Sequence, residues 1–232
     1  NSHTRQYPAS ITKIMTAYLA IKNGDLNSTI TMSDAAVWGI DRNSSHIALD
    51  VGEEISMSDA LYAVMLMSAN EAAWAIAEQV SGSLENFVQL MNDTAQSLGC
   101  KDTHFTNANG LHDPDHYTTA YDLYLIFNEC LKYDLFKDAI HQAHYTAVFT
   151  RNGQEVQQTY DSTNYYLLGN KTPPEGVSII GGKTGTTDNA GLCLILYVED
   201  GSGNGYISVL LGCPDKDTLY SSMSKLLSDI SK

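Results

Sequence analysis

The apolar positions near the start of the chain, Ile11, Ile14, Met15, Tyr18 and Leu19, recur every three to four residues after Pro8 and stop at Gly24. That stripe predicts an amphipathic helix whose first turn holds Ser10. Ser56, with Asp59 three residues on, opens a second stripe through Leu61, Val64 and Met65, which breaks at Ser68, Ala69 and Asn70. Asn70 is suited to cap the next helix, with Glu71 in its first turn and Trp74, Ile76 and Ala77 as apolar positions before Gly82. Two helices thus meet at a short polar corner. Residues 83–98, closed by Gly99, and 118–133, with a Thr cap and Asp122 in the first turn, read as two more helices around a loop rich in Asn, Gly, Asp and Pro.

After about residue 144 the period changes to two. Residues 145–149 and 155–159 flank Asn152-Gly153 as a hairpin, and the apolar runs 190–198 and 206–212 are joined by the Gly-rich stretch 200–205. Pro214 introduces a closing helix with Leu219, Met223, Leu226, Leu227 and Ile230 on one stripe. Helices first and antiparallel strands after predict one α+β domain over 1–232: a helical part at about 10–143, a β-rich part at about 144–213 and a helix at 214–231.

The longest apolar runs, 63–67 and 192–198, fall far short of the ~18–20 residues a membrane helix needs. With 13 Lys+Arg against 27 Asp+Glu the net charge is −14. That excludes a nucleic-acid binder or a polybasic membrane-surface protein, both of which need a basic face. The short polar start, residues 1–7, is no signal peptide, so location has to follow from function. Cys100, Cys130, Cys193 and Cys213 lie far apart without a C-x-x-C pair, against a zinc ribbon; Cys130 and Cys193 sit in apolar runs and read as buried free thiols. His104, His112 and His116, with Asp113 and Asp115, occupy a Pro-containing polar loop that requires no metal. Tyr165 and Tyr166 read as buried aromatics.

Among chemical signatures there is no G-x-S-x-G, H-E-x-x-H, P-loop or G-x-G-x-x-G opening a helix. Ser10 and Lys13 stand one helical turn apart, a spacing that suits a nucleophile and a lysine base whose pKa burial or nearby cations lower. The helix start adds N–H groups that favour a developing oxyanion. The pair alone is not distinctive, since Ser222 and Lys225 repeat it, and S-x-N recurs at Ser68/Asn70, Ser162/Asn164 and Ser202/Asn204. Lys183-Thr184-Gly185 occurs once, between Gly181-Gly182 and Thr186-Thr187. Order and context select Ser10/Lys13, Ser68/Asn70 and Lys183-Thr184-Gly185.

This set is shared by penicillin-binding proteins and class A β-lactamases. The chain more closely resembles the low-molecular-mass serine D-alanyl-D-alanine carboxypeptidases. Four blocks in order carry the resemblance: Tyr7-Pro8-Ala9-Ser10-Ile11-Thr12-Lys13-Ile14-Met15-Thr16-Ala17, Leu66-Met67-Ser68-Ala69-Asn70-Glu71-Ala72-Ala73, Phe105-Thr106-Asn107-Ala108-Asn109-Gly110-Leu111, and Gly182-Lys183-Thr184-Gly185-Thr186-Thr187. The resemblance implies a β-lactamase/transpeptidase-like fold, an antiparallel sheet flanked by a helical cluster, without cofactor or metal. It implies that Ser10 attacks the carbonyl between the terminal D-alanines of a peptidoglycan stem peptide, with Lys13 as base, Ser68 relaying the proton and Asn70 holding Lys13 and the substrate amide. Lys183 and Thr184 would grip the terminal carboxylate, Gly185 would leave room for an extended peptide, and the N–H groups of Ser10 and Thr186 would form the oxyanion hole. It also implies inhibition by β-lactams and an extracytoplasmic location.

Two departures are visible. Only nine residues precede Ser10, where the family has two strands and a helix, so the sheet is expected to lack those strands and to show an open edge. No anchor of the kind many relatives carry follows the last helix, which leaves membrane attachment unencoded here. Ala69 in place of Asp, and the lack of E-x-x-L-N, separate the chain from class A β-lactamases. A non-catalytic peptidoglycan- or β-lactam-binding module is the other alternative, against which the complete set of reactive residues speaks.

Overall fold

The computed structural model describes residues 1–230. The chain first makes a 3-10 turn, Ala9–Thr12, that runs straight into helix α1, Lys13–Asn23. The expected first helix is therefore two pieces, with Ser10 in the tighter one and Lys13 at the start of the regular one. Helices α2 (Asp34–Trp38), α3 (Met57–Leu66), α4 (Asn70–Ser81) and α5 (Leu84–Ser97) follow. The caps of α3 and α5 are the residues the sequence points to: Ser56 Oγ accepts from the Asp59 N–H and Ser83 Oγ from the Asn86 N–H. Asn70 is a correction. It is the first residue of α4 and caps nothing, because its side chain is turned to Lys13 and Ser44 instead.

Residues 118–133 are also corrected. Thr119 caps α6, Ala120–Cys130, and a turn at 131–133 leads into a separate α7, Asp134–His141. The break lets Phe136 of α7 meet Phe127 of α6 edge-on, 5.5 Å between centroids, inside the core. The closing helix α8, Lys216–Leu227, is capped by Asp215 and buries Leu219, Met223 and Leu227; Leu226 is exposed and Ile230 lies beyond the helix.

Two antiparallel sheets replace the single one expected. The first has the order β1 (Thr29–Thr31), β2 (Glu54–Ser56), β3 (His144–Arg151), β4 (Gln154–Asp161). Its first two strands come from the helical part and, at three residues each, are too short to show a period of two. The second has the order β5 (Val177–Thr187), β6 (Gly191–Asp200), β7 (Gly205–Cys213). Both hairpins read from the sequence are present. The outer edge of β7 carries no strand among the described residues.

Strand β6 explains how the layers fit together. Its side chains alternate, as a pleated strand requires. Leu194, Leu196 and Val198 pack under α8 with Leu219, Tyr220 and Met223, while Cys193 and Ile195 enter the larger core with α1, α3, α4 and α6. Tyr166 is buried in the smaller core, whereas Tyr165 is half-buried at its edge, stacked on Tyr220. All four cysteines are free thiols, and Cys130 and Cys193 are buried.

Candidate active site

The three motifs, far apart in sequence, converge on one cleft. A cavity of 220 Å³ is lined by Ser10, Ser68, Thr184, Gly185 and Thr186, joined by Ser45, Thr163, Lys216, Leu219 and Tyr220. Lys13 and Lys183 sit behind this surface, 0% and 1% exposed.

Ser10 lies in a turn closed by the Ile11 N–H on the Pro8 carbonyl at 3.2 Å. Ala9 before it takes a left-handed φ of 48°, which alanine rarely adopts. Gly185 packs against this turn: a Cβ there would stand 3.0 Å from the nitrogens of Ser10 and Ile11 and from the Pro8 oxygen. The room this glycine makes is thus taken by the serine turn rather than left open. Gly181 and Gly182 are small for a similar reason, since Cβ atoms would fall 2.4 Å from the Ile140 carbonyl oxygen and 2.2 Å from that of Ile195.

Lys13 is the most informative group. Its Nζ lies 2.6 Å from Asn70 Oδ1, 2.5 Å from the Asn109 carbonyl oxygen and 3.0 Å from Ser10 Oγ. Complete burial drives its pKa well below the ordinary lysine value, helped by the charge of Lys183 and opposed by Glu71. A neutral amine has two N–H groups and one lone pair. The two closest partners can only accept, so in the neutral form both N–H groups go to Asn70 and Asn109 and the lone pair is left for the Ser10 hydroxyl, while in the charged form the third N–H donates to Ser10 Oγ. Ser10 Oγ is thus the one hydroxyl within hydrogen-bond reach of Lys13 Nζ among the described residues.

Asn70 is itself held, donating through Nδ2 to Ser44 Oγ at 2.8 Å and through its backbone N–H to the Ser45 carbonyl at 2.9 Å. Glu71 fixes the same loop by accepting from the Ile47 N–H at 2.7 Å. Ser68, at the corner between α3 and α4, adopts a left-handed φ of 61° and turns its hydroxyl to Lys183, whose Nζ donates to it at 3.1 Å and to the Thr184 carbonyl at 3.0 Å. Burial brings the Lys183 pKa down to about 7. The Thr184 hydroxyl lies 2.5 Å from that of Thr163. Lys216, exposed at the start of α8, donates to the Tyr165 hydroxyl at 2.6 Å and sits 4.4 Å over its ring. It is the solvent-facing cation of this cleft.

All eight residues singled out in the sequence meet here. Those that went unnoticed act through backbone (Asn109, Ser45) or come from segments without a motif (Ser44, Thr163, Lys216). The histidines of loop 104–118 do not converge on a common point: His104 Nδ1 bonds the Asp115 carbonyl, His112 meets the Tyr7 ring edge-on, and His116 is buried against Thr12 and Thr106.

Lys183-Thr184-Gly185 on the edge strand β5 thus stands beside Ser10 and Lys13 at one helix start and Ser68 at a helix corner, the motif set that penicillin-binding proteins share. Residues 1–215 match the peptidase S11 family, D-alanyl-D-alanine carboxypeptidase. The chain belongs to that family. It is 36% identical over 222 residues to the D-alanyl-D-alanine carboxypeptidase DacA of Haemophilus influenzae, covering 92% of this chain and 53% of that protein. It is 32% identical over 231 residues to DacF of Bacillus subtilis, covering 98% and 56%. The chain thus spans about half the length of these relatives. Among solved structures, the Streptomyces K15 DD-transpeptidase superposes with a TM-score of 0.88 at 28% identity, over 98% of this chain and 88% of that one. Penicillin binding protein 5 of Haemophilus influenzae gives 0.84 at 31% identity, over 98% and 64%.

Proposed function

We propose that this chain is a serine D-alanyl-D-alanine carboxypeptidase unit that removes the terminal D-alanine from peptidoglycan stem peptides, outside the cytoplasm. The observation that supports the reading is the fully buried Lys13 Nζ standing 3.0 Å from the Ser10 hydroxyl. Lys13 takes the proton as Ser10 Oγ attacks the carbonyl between the two D-alanines, and the N–H groups of Ser10 and Thr186 receive the oxyanion. The hydroxyl of Ser68, in contact with Lys183, gives its proton to the departing amine and takes back the one that Lys13 removed from Ser10, so both groups return to their starting state. D-Alanine leaves, an ester on Ser10 remains, and water hydrolyses it. The substrate's carboxylate is met by Lys183 and the Thr184 hydroxyl, with Lys216 adding positive charge at the mouth. No metal or cofactor takes part in this scheme. Penicillins present a carboxylate beside a strained amide and acylate the same serine.

Incubation with diacetyl-lysyl-D-alanyl-D-alanine and, separately, with nitrocefin tests the proposal. Release of D-alanine with stoichiometric, slowly reversed β-lactam labelling is the expected result. Fast nitrocefin turnover without peptide cleavage would show a β-lactamase, and labelling without any turnover a binding module.

The two lysines also predict a pH signature. Lys183 carries charge below about 7 and loses it above, so its pull on the substrate carboxylate fades as pH rises. Burial pushes Lys13 well below the usual lysine value as well, helped by the charge of Lys183. On peptide substrate, kcat/KM is expected to fall on the alkaline side with an apparent pKa near 7, mainly through KM, because bound carboxylate keeps Lys183 protonated in the complex. A flat KM between pH 6 and 9 would count against Lys183 as a carboxylate ligand.

A further inference from the structure

His116 lies outside the scheme above and is 2% exposed. Its Nδ1 accepts from the Thr106 backbone N–H at 3.0 Å, which leaves the ring proton on Nε2. Nε2 therefore donates to Thr12 Oγ1, 2.8 Å away. The Thr12 hydroxyl in turn donates to the Ala9 carbonyl at 2.8 Å. Each proton in this chain of three bonds has one direction open to it. Burial holds the imidazole neutral, with a pKa near 4, so the tautomer persists at neutral pH.

The end of the chain is what matters. Ala9 and Ser10 share a planar trans peptide, so whatever fixes the Ala9 C=O also fixes the Ser10 N–H, which points the opposite way. Ala9 holds a left-handed φ of 48° that it would not keep unaided. Loop 104–118 supports the same carbonyl from a second side: a Cβ on Gly110 would lie 1.9 Å from the Ala9 oxygen and 2.9 Å from Thr12 Oγ1. The loop is itself braced by Asn107 Oδ1, which accepts from the Gly110 N–H at 2.7 Å, and by the Ala108 carbonyl, which accepts from Thr16 Oγ1 at 2.6 Å.

We propose that His116 is a positioning residue that, through Thr12, sets the direction of the Ser10 N–H and so forms one half of the oxyanion hole. This rests on Ser10 being the nucleophile. A misdirected N–H weakens stabilisation of the developing oxyanion but leaves the groups that bind the substrate's carboxylate and amide untouched. The loss therefore belongs in kcat and in the first-order acylation step, not in KM.

The test uses Thr12→Val, Thr12→Ser, His116→Leu, His116→Gln and the Thr12→Val/His116→Leu pair, with acylation by a fluorescent penicillin and peptide kcat and KM measured beside thermal melts. Removing an oxyanion donor outright costs ~10²–10³ in kcat, so misdirecting one is expected to cost about 10- to 100-fold in Thr12→Val and His116→Leu. KM should stay within about twofold. Thr12→Ser and His116→Gln, which keep a donor to the same acceptor, should recover most of the rate. The double variant should be no slower than the slower single one, because both act through one chain. Folded Thr12→Val with a wild-type acylation rate, or losses that multiply in the double variant, would overturn the proposal. Should His116→Leu fail to fold, the Val and Ser variants at Thr12 decide alone. The penicillin adduct on wild-type Ser10 is the internal reference. Its absence would remove the nucleophile assignment, and its presence with an unchanged rate in Thr12→Val would remove this inference only.

Discussion

Replacing Ser10 by alanine is expected to abolish both D-alanine release and covalent penicillin labelling, a fall of roughly 10⁴-fold or more if water attacks in its place. The fold should survive, since Lys13 keeps its contacts with Asn70 and Asn109 when Ser10 Oγ is gone. Intact-mass measurement after incubation with penicillin reads the first effect directly: the wild-type mass rises by one acyl group and that of the variant does not. Labelling that persists in the alanine variant would move the nucleophile elsewhere in the cleft, and Ser68 would then be the residue to test.

The second large effect is expected from a substitution that puts a permanent cation where the proposed base stands. Lys13→Arg supplies N–H groups able to donate to Asn70 and to the Asn109 carbonyl, yet a guanidinium does not give up its proton in a protein. If Lys13 served only to stabilise negative charge, arginine would be tolerated with a modest loss. As the base facing the Ser10 hydroxyl at 3.0 Å it has no substitute, and acylation should slow by about 10³-fold or more. Stopped-flow quenching with a fluorescent penicillin separates the cases. A rate within tenfold of wild type would exclude Lys13 as general base. Lys13→Ala is less informative, because it also leaves Asn70 Oδ1 and the Asn109 carbonyl buried without their donor.

The residues proposed to do the chemistry were legible because each of the three motifs is local: Ser10 and Lys13 share a turn, Ser68 and Asn70 a corner, Lys183 to Thr186 a strand. What holds them in register was not. Lys13 is completed by the carbonyl of Asn109, and a backbone oxygen leaves no mark on residue type. Ala9 gives no hint of a left-handed φ, and the groups around its carbonyl include Thr12 three residues on and, from loop 104–118, Gly110 and, through Thr12, His116. Strands β1 and β2 were missed because three residues cannot display an alternation, and their identity comes from pairing, β1 with β2 and β2 with β3. Asn70 shows the opposite error, where a residue type that favours helix caps was claimed by a stronger partner, the buried amine of Lys13.

The burial of Lys183 also governs how the fold responds to solution conditions. In the unfolded chain this lysine holds its proton up to about pH 10.4, and in the folded one only to about 7. Between those values the unfolded state binds more protons, so the lysine's contribution to stability improves as pH rises and is least favourable below about 7. The side chain proposed to read the substrate's carboxylate thus opposes folding most strongly in the pH range where it is charged. An inactive Lys183→Met protein should melt above wild type at neutral pH, with the gap closing toward pH 10. Selection of this chain for heat resistance alone would therefore tend to discard Lys183, and only selection for the proposed turnover would retain it.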